Sequence, residues 1–79
     1  MSLDRAAAVA LLALSDRLVA EGEARVTNQQ TRMRQLGLDG QDTFQAEKLL
    51  AVLSETLEEW CGDRADVIEL ISQMEAGLP

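Results

Sequence analysis

Seventy-nine residues with one cysteine and no histidine make one domain at most, without an internal disulfide or a mixed Cys/His zinc site, and neither a metal nor a cofactor is expected. A chain of this size buries only roughly 60 to 65% of the surface its unfolded form exposes, so self-association, most simply as a dimer, is expected. The net charge is −7, and such a surplus of acid argues against binding a nucleic-acid backbone, which needs clustered Lys and Arg.

Leu, Ala, Glu, Gln and Arg dominate, Tyr is absent and the single Pro is the last residue, which is a helical composition. Ser2 or Asp4 is placed to cap a first helix over about 4–36. Its stripe runs through Ala8, Leu11 or Leu12, Ser15, Leu18 or Val19, Gly22, Val26, Gln29, Met33 and Leu36 at three-and-four spacing. The pattern is strong at the start and weak in "EGEARVTNQQTR". The apolar stretch "AAAVALLAL" (6–14) is too short to span a bilayer, which takes about 20 residues, and no membrane attachment is expected. A secretory signal has an apolar core of this length, but "MSLDR" before it has no net positive charge and the helical pattern runs on through "SDRLVAEGEARV". Of Asn28, Gln29 and Gln30, only Gln29 falls on the seam. The three are either a polar layer that selects oligomeric state or side chains pointing outward.

The segment "LGLDGQDTFQAEKLL" (36–50) then reads as stop, turn and restart. Gly37 is placed to end the first helix as its left-handed residue, and Asp39-Gly40 is a turn pair. Asp42, with Gln45 three residues on, has the spacing of a capping box. The turn thus occupies 37–42 and a second helix about 43–76. In it Ala46, Leu50, Leu53, Leu57, Trp60, Arg64, Val67, Ile71, Met74 and Leu78 alternate four- and three-residue steps, with Arg64 as the one break in an apolar seam. "CGDRAD" (61–66) resembles a helix end, so the alternative to one continuous helix is two shorter ones kinked at Gly62. The unbroken phase of the seam favours continuity. Gly77, Leu78 and Pro79 follow in the order expected after a helix.

The fold class expected is therefore all-α: an antiparallel, coiled-coil-like two-helix hairpin that dimerises into a four-helix bundle. For a bend between residues 39 and 40 the seams meet layer by layer. Leu36 falls near Phe44, Met33 near Ala46, Val26 near Leu53, Leu18 near Trp60 and Leu57, Leu12 near Val67 and Ala8 near Ile71. Gly22 falls opposite Leu57 and one turn from Trp60, where a missing side chain admits the indole. Charges pair as Arg32 with Glu47, Arg25 with Glu55, Asp16 with Arg64 and Arg5 with Glu75, which sets register more than stability. Residues 1–36 carry five Arg against four acids, whereas 37–79 carry ten acids against two bases, an asymmetry that suits one half docking on the other. A second apolar flank remains in Leu49, Val52, Ile68 and Leu70, with Leu14 on the first helix. A flank of that kind marks an interaction site.

Candidate chemistry is sparse. The acid-rich run 54–70 is a solvated outer face or an acidic docking patch, and di-metal bundles need Glu-x-x-His pairs that a histidine-free chain lacks. "DGQDTFQAEK" lacks the glycine and the ligand alternation of a calcium loop. Cys61, in acidic surroundings without an imidazole, reads as a small packed hydrophobe; a lone cysteine fits a reducing cytoplasm, the location expected. No phosphate-binding loop or nucleophile elbow is present.

At "AEGE" (20–23), "DGQDTFQAEKLL" (39–50) and "DR" (63–64) the chain resembles a group of short, uncharacterised helical proteins of proteobacteria. The resemblance implies Asp-Gly-His-Asp-Thr followed by an Ala and paired Leu, then a His shortly before Ala-Asp-Arg. The matching residues are Asp39, Gly40, Asp42, Thr43, Ala46, Leu49, Leu50, Asp63 and Arg64. Gln41 and Trp60 stand where the group's histidines are expected, and Gly62 where its Ala is. The likeness covers about residues 18–70 and implies the hairpin and a continuous second helix, with no activity attached. The functional expectation is a small, non-enzymatic protein-protein interaction module, an adaptor or regulator, with Leu49, Val52, Leu53, Leu57, Trp60, Ile68 and Leu70 as interaction candidates. The alternative is a purely structural homo-oligomer. An enzyme with a site between subunits comes last.

Overall fold

A computed structural model describes residues 4–77 of the chain; the expectations placed on Ser2, Leu78 and Pro79 lie outside the described residues. Two helices, α1 (Arg5–Leu38) and α2 (Phe44–Glu75), pack against each other. The rod measures 59 × 19 × 15 Å with a radius of gyration of 17.7 Å, against about 12 Å for a compact domain of this length. The Arg5 guanidinium meets Glu75 at one end while Gln29 meets Ala46 nearer the bend, so the helices run antiparallel.

Each helix end is closed by local chemistry. Asp4 caps α1, its carboxylate accepting the Ala7 N–H at 2.7 Å. At the other end Gln41 N–H donates to the Leu36 carbonyl at 2.9 Å and Gly40 N–H to that of Gly37 at 3.1 Å, the paired bonds of a Schellman motif. The left-handed residue is Gly40, at φ 72°, and not Gly37. Helix α1 therefore runs two residues past the expected stop, and the turn shrinks to 39–43. Both glycines tolerate a left-handed backbone; using the later one keeps Leu36 and Gly37 inside α1 and leaves their carbonyls satisfied from beyond the cap. At the restart Phe44 N–H donates to the Asp42 carboxylate at 2.9 Å. The N-cap is Thr43, whose side chain makes no capping bond. Asp42 takes the Phe44 N–H and not that of Gln45, and Gln45 makes no reciprocal bond among the described residues, so the expected box does not form, and the Thr43 hydroxyl donates to Glu47 at 3.3 Å. Helix α2 is continuous through Gly62, and the alternative of two shorter helices is not adopted. Gly77, at φ 73°, closes it.

The less exposed residues trace the seam. In α1 they include Ala8, Leu12, Ser15, Val19, Gly22, Val26, Gln29, Met33 and Leu36, and in α2 Ala46, Leu50, Leu53, Leu57, Trp60, Arg64, Val67, Ile71 and Met74. The choice between Leu11 and Leu12 falls to Leu12, with Leu11 exposed. At Gly22 the expected close approach is present: a Cβ built there would lie 3.0 Å from Leu57 Cδ1 and 3.2 Å from Trp60 Cε3. Trp60 is half-buried, and among the described residues no buried side-chain nitrogen or oxygen lacks a partner, so the indole N–H sits at the solvent edge. Nearer the bend the seam is polar. Gln29 is buried and its amide donates to the Ala46 carbonyl at 2.9 Å, using the lone pair left over from the helical bond. A seam one side chain deep has limits: among the described residues no large side chain is fully buried.

Candidate functional site

Writing the seam positions as a and d of a heptad assigns every other residue to one side of the hairpin or the other. In an antiparallel pair g faces g and e faces e. One groove bears this out: Arg32 and Leu49, both g, line it together with Gln29 and Ala46. A second groove lies opposite, lined by Asp16, Glu23 and Cys61, all e, with Val19 and Arg64 behind them. The molecule therefore has a Leu49 side and a Cys61 side.

The sequence-derived candidates divide across this geometry. Leu53, Leu57 and Trp60 are half-buried in the intramolecular seam, where Leu57 and Trp60 pack over Gly22. Leu49 and Val52 are exposed at 49% and 57%. They share their side with half-buried Leu70 and Leu18 and with exposed Leu11 and Leu14. Ile68, 41% exposed, occupies an e position and belongs to the Cys61 side. The expected single flank of Leu49, Val52, Ile68 and Leu70 is thus split by the seam, because Ile68 and Leu70 are two residues, some 200°, apart on one helix.

Sequence reasoning missed three exposed apolar groups. Val9, 49% exposed, occupies an e position and so falls on the Cys61 side. Leu38, which lies beyond the expected helix end, is 81% exposed. Phe44, expected near Leu36, is 53% exposed, with the Lys48 ammonium 4.7 Å from its ring centroid, a cation–π contact at the surface. The i, i+4 spacing of Phe44 and Lys48 was the available signal.

Electrostatics follow the expected register at one end and in the middle. Arg5 reaches Glu75 at 2.8 Å and Arg64 pairs with Asp16. The hydrogen bond that Arg64 donates to Asp16, reinforced by the carboxylate's charge, raises the guanidinium above its ordinary range. The other two expected pairs do not form. Among the described residues neither Arg25 nor Arg32 makes an ion pair, and Glu47 takes the Thr43 hydroxyl. An exposed ion pair and two hydrated side chains are close in free energy, so matching register alone does not decide which pairs form.

Cys61 is exposed rather than packed; its e position looks across a shallow groove toward Asp16 and Glu23, and Arg64 is engaged by Asp16. Among the described residues no three Cys, Asp or Glu side chains converge as a metal site, and no helix is long and apolar enough to cross a membrane. No protein-family model matches the chain, and no match to it is found among curated proteins or solved structures.

Proposed function

We propose that the chain is a small cytoplasmic protein-protein interaction module, an adaptor or regulator without enzymatic activity, that works as a self-associating helical hairpin. The observation that carries this is surface. A compact monomer of its mass exposes about 4,700 Å², whereas the hairpin exposes 5942 Å². The excess, about 1,200 Å², exceeds the roughly 800 Å² per partner of a standard stable interface. It includes the exposed leucines and valine of the Leu49 side. Dimerisation into a four-helix bundle through that side would cover them.

The division of the apolar flank bears on the choice between adaptor and purely structural oligomer. A dimer closed through the Leu49 side leaves Val9 and Ile68 uncovered on the opposite face. Residual apolar surface after self-assembly is what a module needs for a further partner, such as an apolar stripe on another protein's helix. That supports the adaptor reading over the homo-oligomer. Light scattering from micromolar to millimolar concentration tests self-association, and a protomer mass throughout would end the proposal. Capture of a partner by the wild type that is lost with Ile68→Glu, at unchanged dimer mass, supports the adaptor role. Equal capture by both moves the partner's site off the Ile68 face, and capture by neither assigns the chain to the structural alternative.

A further inference from the structure

Resting on that self-association, we infer that the Leu49 side binds a second copy of this chain with the hairpins antiparallel, the bend of one beside the open end of the other. The face is electrically polarised along its length. Its half next to the bend carries Arg25 and Arg32, which make no ion pair among the described residues, against one carboxylate, Asp42, in the same groove as Arg32. Its open half carries Asp63 and Asp66, equally unpaired and exposed. Apolar groups are divided in the same way, Leu49 and Val52 in one half and Leu11, Leu14 and Leu70 in the other.

A twofold axis crossing the middle of the face, near Gly22, superposes each half on the opposite half of the partner. Asp63 then lies level with the partner's Arg25, Asp66 falls within a turn of the partner's Arg32, and the open-end leucines meet the partner's Leu49 and Val52. An axis parallel to the helices would instead gather both copies of Arg25 and Arg32 at one end and both copies of Asp63 and Asp66 at the other. Like charges in a shared apolar layer repel far more strongly than at an open surface. In the antiparallel arrangement the like pairs are Glu21 with the partner's Glu21 and Glu59 with the partner's Glu59, all exposed on the outer rim, where water and salt screen them.

Single-cysteine variants in a Cys61→Ser background read the orientation directly. In the antiparallel dimer Glu21→Cys lies beside the axis and is linked to its own copy by a short bis-maleimide, while Asp39→Cys, at the bend, lies a helix length from its counterpart and is not. Cross-linking of Asp39→Cys without Glu21→Cys overturns the orientation and leaves self-association standing; a monomer at every concentration overturns both. Charge exchange reads the pairing. Arg25→Glu should weaken dimerisation by about tenfold or more at unchanged helicity, and adding Asp63→Arg should restore it to within about threefold. The two positions are about two helical turns apart within one hairpin, so restoration has to come from the partner. A double variant as weak as the single one overturns the pairing.

Discussion

Two glycines in the middle of helices give opposite responses to the same substitution if the seam is packed as described. Replacing an interior helical glycine by alanine gains about 1 kcal/mol of helix propensity. At Gly62 nothing lies within 4 Å of the added Cβ, and the residue sits at the outermost heptad position, so Gly62→Ala should stabilise by that full amount. At Gly22 the added carbon meets Leu57 Cδ1 at 3.0 Å and the Trp60 ring at 3.2 Å and 3.4 Å. The leucine methyl is the end of a rotatable chain and moves at a cost of about 1 kcal/mol. The indole is rigid, and displacing it opens the seam around Leu57. Overpacking of this kind costs about 1 to 3 kcal/mol, which leaves Gly22→Ala between neutral and about 2 kcal/mol destabilised after the propensity gain. The two variants should therefore differ by about 1 to 3 kcal/mol, or at roughly 4 to 8 °C per kcal/mol a gap of several degrees. Thermal unfolding followed by circular dichroism at one fixed protomer concentration measures it, since the midpoint of a dimer moves with concentration. Equal stabilisation by both substitutions would refute the close approach of Trp60 and Leu57 to Gly22, and with it the layer register of the hairpin.

The remaining predictions concern the bend and the seam. Gly40→Ala should cost about 1 to 2 kcal/mol because its backbone is left-handed, whereas Gly37→Ala, helical and without close neighbours, should stabilise by up to about 1 kcal/mol; urea unfolding that ranked them the other way would move the helix end back to Gly37. Gln29→Met should change stability by less than about 1 kcal/mol, since the Ala46 carbonyl keeps its helical donor and an apolar chain of equal length fills the space. A loss above about 3 kcal/mol in the same assay would mean that the amide is required for the fold. Leu53→Asp puts a charge into the seam and should cost more than about 3 kcal/mol, while Glu58→Ala, on the outer face, should stay within about 0.5 kcal/mol of the parent; equal melting of the two would show the seam to be misplaced.

The three-and-four spacing from Ala8 to Leu36 and from Ala46 to Met74 determined the existence and seam of the two helices, because the period of a helix is a property of consecutive residues and any break shifts every later side chain off the stripe. The same arithmetic, carried across the bend, placed Gly22 under Leu57 and Trp60 and matched Arg5 with Glu75 and Asp16 with Arg64. It had less grip on groups whose free energy is nearly the same in two arrangements. Gly37 and Gly40 both tolerate a left-handed backbone, so glycine position alone did not distinguish them, and the helix is closed at Gly40. Arg25 and Arg32 stand off the seam in water, where an ion pair and a hydrated side chain are close in free energy, and spacing did not reveal that both stay unpaired. Phe44 stands exposed beside Lys48 at the start of the second helix, and Cys61 was left exposed by its place beside the seam. The division of the apolar flank into Leu49, Val52 and Leu70 on one side and Ile68 on the other emerged only once the helices were set against each other, since a side of a hairpin is defined by two helices and a single stretch of sequence has none.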